Sequence, residues 1–428
     1  MTNPELRDAG QNRAPWVQCF LDTRRASERL ARELSAEDQT IQSMADASPT
    51  KWHLAHTTWF FETFLLRAHL SDYRVFSPDF GFLFNSYYEA VGPRHARPQR
   101  GLLSRPGAGE IQAYRDAVTA ETTALIERAD ERRWAEILTT LELGINHEEQ
   151  HQELILMDIK HAFSVNPLGP GYRRAALSPT AREAAPLRWI EFPGGLAEIG
   201  HDGRGFAFDN EGPRHKAWLE PYRIASRLAT CGEYLAFIDD GGYRRPEFWL
   251  SDGWQTVTAQ GWSAPLYWQE APDLGWSVFT LSGRRALDRA EPVCHVSYYE
   301  ADAYARWARR RLANENEWEV AAATVELAGN LADRDRLHPA PAAPSGSGLE
   351  QMIGDVWEWT SSAYAAYPGY QPAPGAVGEY NGKFMSGQMV LRGGAAVTPA
   401  RHIRRSYRNF FPPAARWAFS GIRLAEDA

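Results

Sequence analysis

The sequence predicts an α plus α+β chain, a four-helix bundle followed by an irregular α+β domain. Three observations carry this reading. Four long segments with helical spacing lie between about Trp16 and about Phe163. Residues 166–187 turn to Pro, Ala, Gly and Arg, the composition of a linker. From Arg188 onward, short apolar runs alternate with glycine, proline and aromatic residues, and helical patterns are few. The expected domains are therefore 1–165, 166–187 and 188–428.

The elements follow in order. Phe20 to Leu34 carries apolar and small residues at helical spacing among Arg, Glu and Ser. Lys51 to Leu70 begins after a Ser-Pro-Thr start signal and runs without glycine or proline. Gly109 to Ala129 and Trp134 to Phe163 complete a bundle with long connections. The loop from Ser77 to Pro106 is long enough that function is the better explanation for it. In the second half the clearest helix is Tyr299 to Ala323.

A chain of 428 residues exceeds one ordinary core, which agrees with two domains. Hydrophobic content of 44% and charge of 23% place it among soluble globular proteins. A net charge of -8 argues against a nucleic-acid partner. Sixteen tryptophans and 12% aromatics point to a loop-rich half pinned by large rings. The three cysteines form no C-x-x-C pair, which fits a reducing cytoplasm better than a disulfide framework. No signal-peptide core and no run of about eighteen apolar residues is present, so no membrane partner is expected.

The chemistry concentrates in His147-Glu148-Glu149-Gln150-His151. Histidines four apart on a helix share a face, one turn above the other, as two ligands of one metal do. The run also satisfies H-E-x-x-H, the zinc-protease motif. A metzincin would continue H-x-x-G-x-x-H, but Leu154 and Met157 occupy the decisive places. A gluzincin needs a glutamate on a later helix, and a linker follows Phe163 instead. A polar helix face with two incidental histidines is the alternative. His161 points at a different angle and reads as surface.

A third ligand is available upstream in KWHLAHTTWFFE. Spacing of three lets either His53 or His56 face the core. The neighbouring Trp52, Trp59 and Phe60 favour His56, for which a hydrogen-bonded core histidine is the alternative. Three histidines with open positions suit Fe(II) or Zn(II).

These residues also carry a family resemblance. SPTKWHLAHTTWFFE and NHEEQHQEL resemble a DinB-like helical bundle. FPGGLAEIG, DNEGPRH, CGEYLAFIDDGGY, PVCHVSYYEADAYARWARRRLANENEWEVAA, GDVWEWTSS, LRGGA and SGIRLA appear in that order. That series resembles the formylglycine-generating, C-type-lectin-like fold. The combination, with RNFFPPAARWAFSGIRL, is similar to the sulfoxide synthases of ergothioneine biosynthesis, the hercynine oxygenases. The closest branch carries a tyrosine pair in the long loop, here NSYYEAVGPRHARPQRGLLSRP. Formylglycine-generating chemistry itself is not implied, because it uses a cysteine pair near the C-terminus and the last cysteine here is Cys294.

The resemblance implies an Fe(II) enzyme with O2 as co-substrate. It would join the imidazole of hercynine to the sulfur of L-cysteine or gamma-glutamylcysteine. His56, His147 and His151 would hold the metal. Tyr87 and Tyr88 are candidates for the acid that supplies a proton in the oxidative step. Gln150 and Asn409 are candidate polar contacts to hercynine. Phe410 and Phe411 would face its trimethylammonium group. Arg94 and Arg97 would grip the thiol substrate's carboxylate, with Arg100, Arg404 and Arg408 as competitors. A selenoneine-type synthase and a non-catalytic lectin-like binding module are the other readings. The acidic runs ENEWE and GDVWEW read as structural.

Overall fold

A computed structural model describes residues 12–173, 184–343, 348–373 and 375–428. The predicted linker overlaps residues 174–183, which lie outside the described residues. The chain divides into two compact units.

The first unit contains Met1–Leu168 together with Gly203–Phe208 and Pro372–Tyr380. Its helices are α1 (Ala14–Arg32), α2 (Thr50–Phe61), α3 (Ala108–Arg128) and α4 (Glu131–Val165). All four lie close to the segments expected from helical spacing. Asp130 caps α4 by accepting from the Arg133 amide at 2.8 Å.

Every residue of α2 is buried, including Lys51, His53, His56, Thr57 and Thr58. Burying so many polar groups is costly unless each finds a partner, so α2 marks the part of the bundle where chemistry is placed. After α2 the helix widens into a π-helical stretch, Glu62–Leu66. Such widening recurs at functional sites. The buried Glu62 carboxylate accepts from the Tyr73 hydroxyl, the Phe76 amide and the Tyr114 hydroxyl at 2.9, 2.9 and 2.7 Å.

Helix α4 crosses α2 at Gly144. A Cβ there would stand 2.5 Å from the Phe61 ring and 2.9 Å from the Phe60 ring, so only glycine allows this approach. The approach brings the histidines of α2 and α4 together. The long loop contains a short helix at Phe80–Phe84 and 3₁₀ turns at Glu89–Val91 and Arg97–Leu102.

The second unit is built from strands and short helices. Its first four-stranded sheet has the order β1 (Trp189–Phe192), β4 (Tyr222–Ala225), β13 (Leu424–Asp427) and β8 (Arg311–Leu312). The second has the order β11 (Asn409–Phe411), β10 (Met389–Arg392), β9 (Trp357–Ala363) and β12 (Ser420–Gly421). A two-stranded sheet joins β2 (Gly195–Ile199) to β3 (His215–Leu219). A three-stranded sheet joins β5 (Trp268–Ala271), β6 (Gly275–Thr280) and β7 (Gly283–Ala286).

The acidic runs are structural, as expected. Glu358 takes the Arg423 guanidinium at 2.8 and 3.0 Å and the Trp318 indole at 2.9 Å. Glu315 pairs with Arg392 and Arg408.

One expected helix is corrected. Tyr299 to Ala323 is not continuous but splits into Tyr298–Trp307, β8 and Glu315–Ala322. Arg309 has a φ of 55°, which ends the first piece, and β8 then pairs with β13. Asn314 caps the second piece through a reciprocal box with Glu317.

Candidate metal centre

The i, i+4 spacing on α4 places the His147 and His151 rings 4.6 Å apart. Across from them, the α2 residue His56 lies 5.0 Å from His147 and 4.8 Å from His151, ring to ring. One ligand atom from each residue lies within 4.8 Å of the others, and all three side chains are buried.

Trp52 stacks on His56 at 4.7 Å and Trp59 lies nearly parallel to it at 5.6 Å. Phe60 packs on His147 at 4.9 Å. The resulting wall is apolar and excludes water.

Desolvation, reinforced by neighbouring histidines, holds His56 and His151 well below the ordinary imidazole range. Desolvation pushes His147 down to about 3. All three are therefore neutral and present lone pairs at pH 7. His56 Nδ1 meets the Phe84 carbonyl at 2.6 Å, and that carbonyl can only accept. His56 Nε2 is left as a buried nitrogen without a hydrogen-bond partner, and so is His147 Nδ1. Such groups are costly in a dry site, and a metal ion is the partner their chemistry fits.

His53 is not in this group. Its Nδ1 lies 2.8 Å from His151 Nδ1, and its Nε2 lies 3.0 Å from Asp158 Oδ2. His161, read as surface, is half-buried instead, with Nδ1 2.7 Å from the Ser43 hydroxyl.

The glutamate of H-E-x-x-H is engaged elsewhere. Glu148 accepts from Arg24 at 2.7 Å, Ser27 at 2.7 Å and Arg115 at 2.9 Å. Burial alone would raise this carboxyl, but Arg24 and Arg115 together hold it at about 2. A carboxylate pinned this way is no base for a metal-bound water, which removes the protease reading. Glu148→Gln should strand two buried guanidinium groups and cost about 3–5 kcal/mol. Urea denaturation at pH 7 checks this; a variant as stable as the wild type would show that the pairs contribute nothing. The depressed carboxyl stabilises the fold fully above its ordinary value of 4.5, and that stability is lost as pH falls toward about 2. The gap between wild type and variant should therefore shrink across that window.

Tyr380 comes from the second half of the sequence but belongs to the helical unit. Its hydroxyl donates to the Gln150 side-chain carbonyl, and its ring stands edge-on to His147 at 5.5 Å. Phe208 stacks on it at 5.4 Å. The neighbouring Glu379 carboxylate accepts from the Glu89 and Ala90 amides, both at 3.0 Å, which ties this segment to the long loop.

Tyr87 lies 4.7 Å from Tyr88 and 6.2 Å from Tyr380, ring to ring. Tyr88 is fully buried against Trp59 and Phe64. Burial, with Tyr87 and Tyr380 nearby, raises its phenol well above the ordinary range.

Arg94 and Arg97 are exposed; the first pairs with Glu89 and the second donates to the Asp46 carbonyl. Arg100 is buried instead, 3.3 Å above the Trp52 ring centre, and donates to Ser48 Oγ at 2.9 Å. In the second unit Arg404 is held by Glu211 and Arg408 by Glu315. Asn409, Phe410 and Phe411 form β11, all partly exposed. Phe410 stacks on Tyr364 at 4.0 Å, and Phe411 meets Trp417 edge-on at 5.5 Å.

Sequence reasoning missed the place of Asp158 beside the triad. Its signal was available: seven residues beyond His151 is two helical turns, on the same face. No signal in the sequence placed Tyr380 with the bundle.

Two family models match the chain. The DinB superfamily covers residues 20–162, and the sulfatase-modifying factor enzyme 1-like domain covers 174–341 and 335–428. The hercynine oxygenase of Mycolicibacterium thermoresistibile is 34% identical, with 97% of this chain and 95% of that protein covered. The hercynine oxygenase of Mycobacterium tuberculosis is 34% identical, with 100% of each covered. The formylglycine-generating enzyme of Streptomyces coelicolor is 28% identical over 58% of this chain and 92% of that protein.

Proposed function

Because the chain belongs to the hercynine oxygenase family, we propose that it is an oxygenase that joins the hercynine imidazole to a cysteine-type thiol. The reaction consumes one dioxygen and both substrates and yields a thioether sulfoxide and one water. Sulfur and the imidazole carbon are oxidised, and dioxygen accepts the four electrons. The observation that carries this reading is the cluster of three buried imidazoles with converging ligand atoms.

His56, His147 and His151 would hold Fe(II), as three neutral donors that leave positions for substrates. When bound, the metal supplies the redox chemistry with dioxygen and lowers the pKa of a coordinated thiol. Trp52, Trp59 and Phe60 keep water from the ligand rings. Tyr380 is held beside His147 by its bond to Gln150, a position from which a neutral phenol donates a proton. Tyr87 and Tyr88 are the further candidates for that acid. Gln150, Asn409, Phe410 and Phe411 are assigned to hercynine, the two rings for its trimethylammonium group. Arg94 and Arg97 are assigned to the thiol substrate's carboxylate, and their exposure leaves them reachable by a solute. No helix is long and apolar enough to cross a membrane among the described residues, and a cytoplasmic location is proposed on the cysteine pattern.

The test is anaerobic loading with Fe(II), addition of hercynine and either L-cysteine or gamma-glutamylcysteine, then oxygen. Mass analysis should find a product equal to both substrates plus one oxygen and minus two hydrogens. Finding only oxidised thiol with each donor would sink the reading.

A further inference from the structure

Among the buried polar groups that the reaction does not use, one set has a single consistent hydrogen-bond arrangement. Asp158 Oδ2 lies 2.7 Å from the Ser48 amide and 3.0 Å from His53 Nε2. His53 Nδ1 lies 2.8 Å from His151 Nδ1. Asp158, His53 and His151 are each less than one-tenth exposed or at that limit, so water does not share these bonds.

The proton positions follow from what each group can do. An ionised carboxylate only accepts, so a neutral His53 carries its proton on Nε2. Its Nδ1 then has only a lone pair and must accept. The proton between the two rings therefore belongs to His151 Nδ1. That leaves the lone pair of His151 on Nε2. The Phe84 carbonyl does the same for His56 by taking its Nδ1 proton.

Resting on the metal reading above, we infer that Asp158 and His53 are positioning residues that fix the tautomer and ring orientation of His151. Without His53 the His151 imidazole is free to move its proton to Nε2, the nitrogen the metal requires. It also loses the donor–acceptor chain that makes a ligand histidine more basic. Loss of such an outer partner costs about ten- to hundredfold in metal affinity.

Co(II) is a suitable probe, since its visible absorption reports the ligand field directly. Titration of the full-length protein should give about ten- to hundredfold weaker binding for His53→Phe than for wild type, with a shifted band. His53→Asn places an amide oxygen where Nδ1 was and should recover most of the affinity and the wild-type spectrum. Asp158→Asn keeps an oxygen for Ser48 and His53 but removes the charge, and should weaken binding by about tenfold.

Wild-type affinity and spectrum in His53→Phe would overturn the inference. So would equal weakening by Phe and Asn at position 53, which would show that packing rather than hydrogen-bond acceptance matters. If His53→Phe does not fold, Asp158→Asn decides alone, and unchanged Co(II) binding there overturns the relay. Absence of Co(II) binding by the wild type would instead sink the metal reading itself.

Discussion

Alanine at His56, His147 or His151, one at a time, is expected to leave the protein folded, nearly metal-free and inactive. The loss should exceed the ~10–100-fold cost of removing a ligand's hydrogen-bond partner. The reason is geometric: three ligand atoms within 4.8 Å of one another leave no spare donor in the group. Stability of the metal-free protein should change far less than metal content. Each substitution removes a buried imidazole, and in two of them a nitrogen without a hydrogen-bond partner is among the atoms lost. Iron content by elemental analysis, turnover and thermal unfolding together check this. If His56→Ala retains full iron and activity, the ligand assignment is wrong. His53, 2.8 Å from His151, would then be the replacement to test.

Phenylalanine at Tyr380 is expected to cut product formation about a hundredfold while hercynine and thiol binding persist. The substitution removes one hydroxyl and keeps the ring that stands on His147 and Phe208. Packing is therefore nearly preserved, and the Gln150 carbonyl loses its phenol donor. Tyr87→Phe and Tyr88→Phe are the companion variants. Tyr88→Phe keeps the ring that is buried between Trp59, Phe64 and Tyr87, so stability should change little and the effect should be read in rate. Single-turnover rates and the ratio of sulfoxide to oxidised thiol separate the three. A lost general acid lowers the yield of coupled product, whereas a packing defect weakens binding and leaves the ratio unchanged. Wild-type rate and ratio in all three variants would place the acid elsewhere.

The helical half, the strand-rich half and the histidine pair of α4 are legible in the residues alone. Each rests on local rules: apolar spacing near 3.6, turn residues between short runs, and the shared face of positions i and i+4. The sequence favours His56 over His53 through the flanking Trp52, Trp59 and Phe60, although spacing of three turns both toward the interior. In the folded chain it is His56 that groups with His147 and His151. The Phe84 carbonyl sits at His56 Nδ1 and frees Nε2 for a metal, whereas Asp158 and His151 occupy both nitrogens of His53. The same holds for Glu148. The motif gives its position on α4, but Arg24 of α1 and Arg115 of α3 decide that it is an ion-pair partner and not a base. Tyr380 was beyond any local rule, since 230 residues separate it from Gln150. The continuous helix expected from Tyr299 to Ala323 is broken at Arg309, whose φ of 55° leaves the helical region, and β8 then pairs with β13 from a distant part of the chain. Local pattern fixes which groups share a face, but which partner each buried polar group finds depends on segments distant in sequence, and that choice sets its protonation and its chemistry.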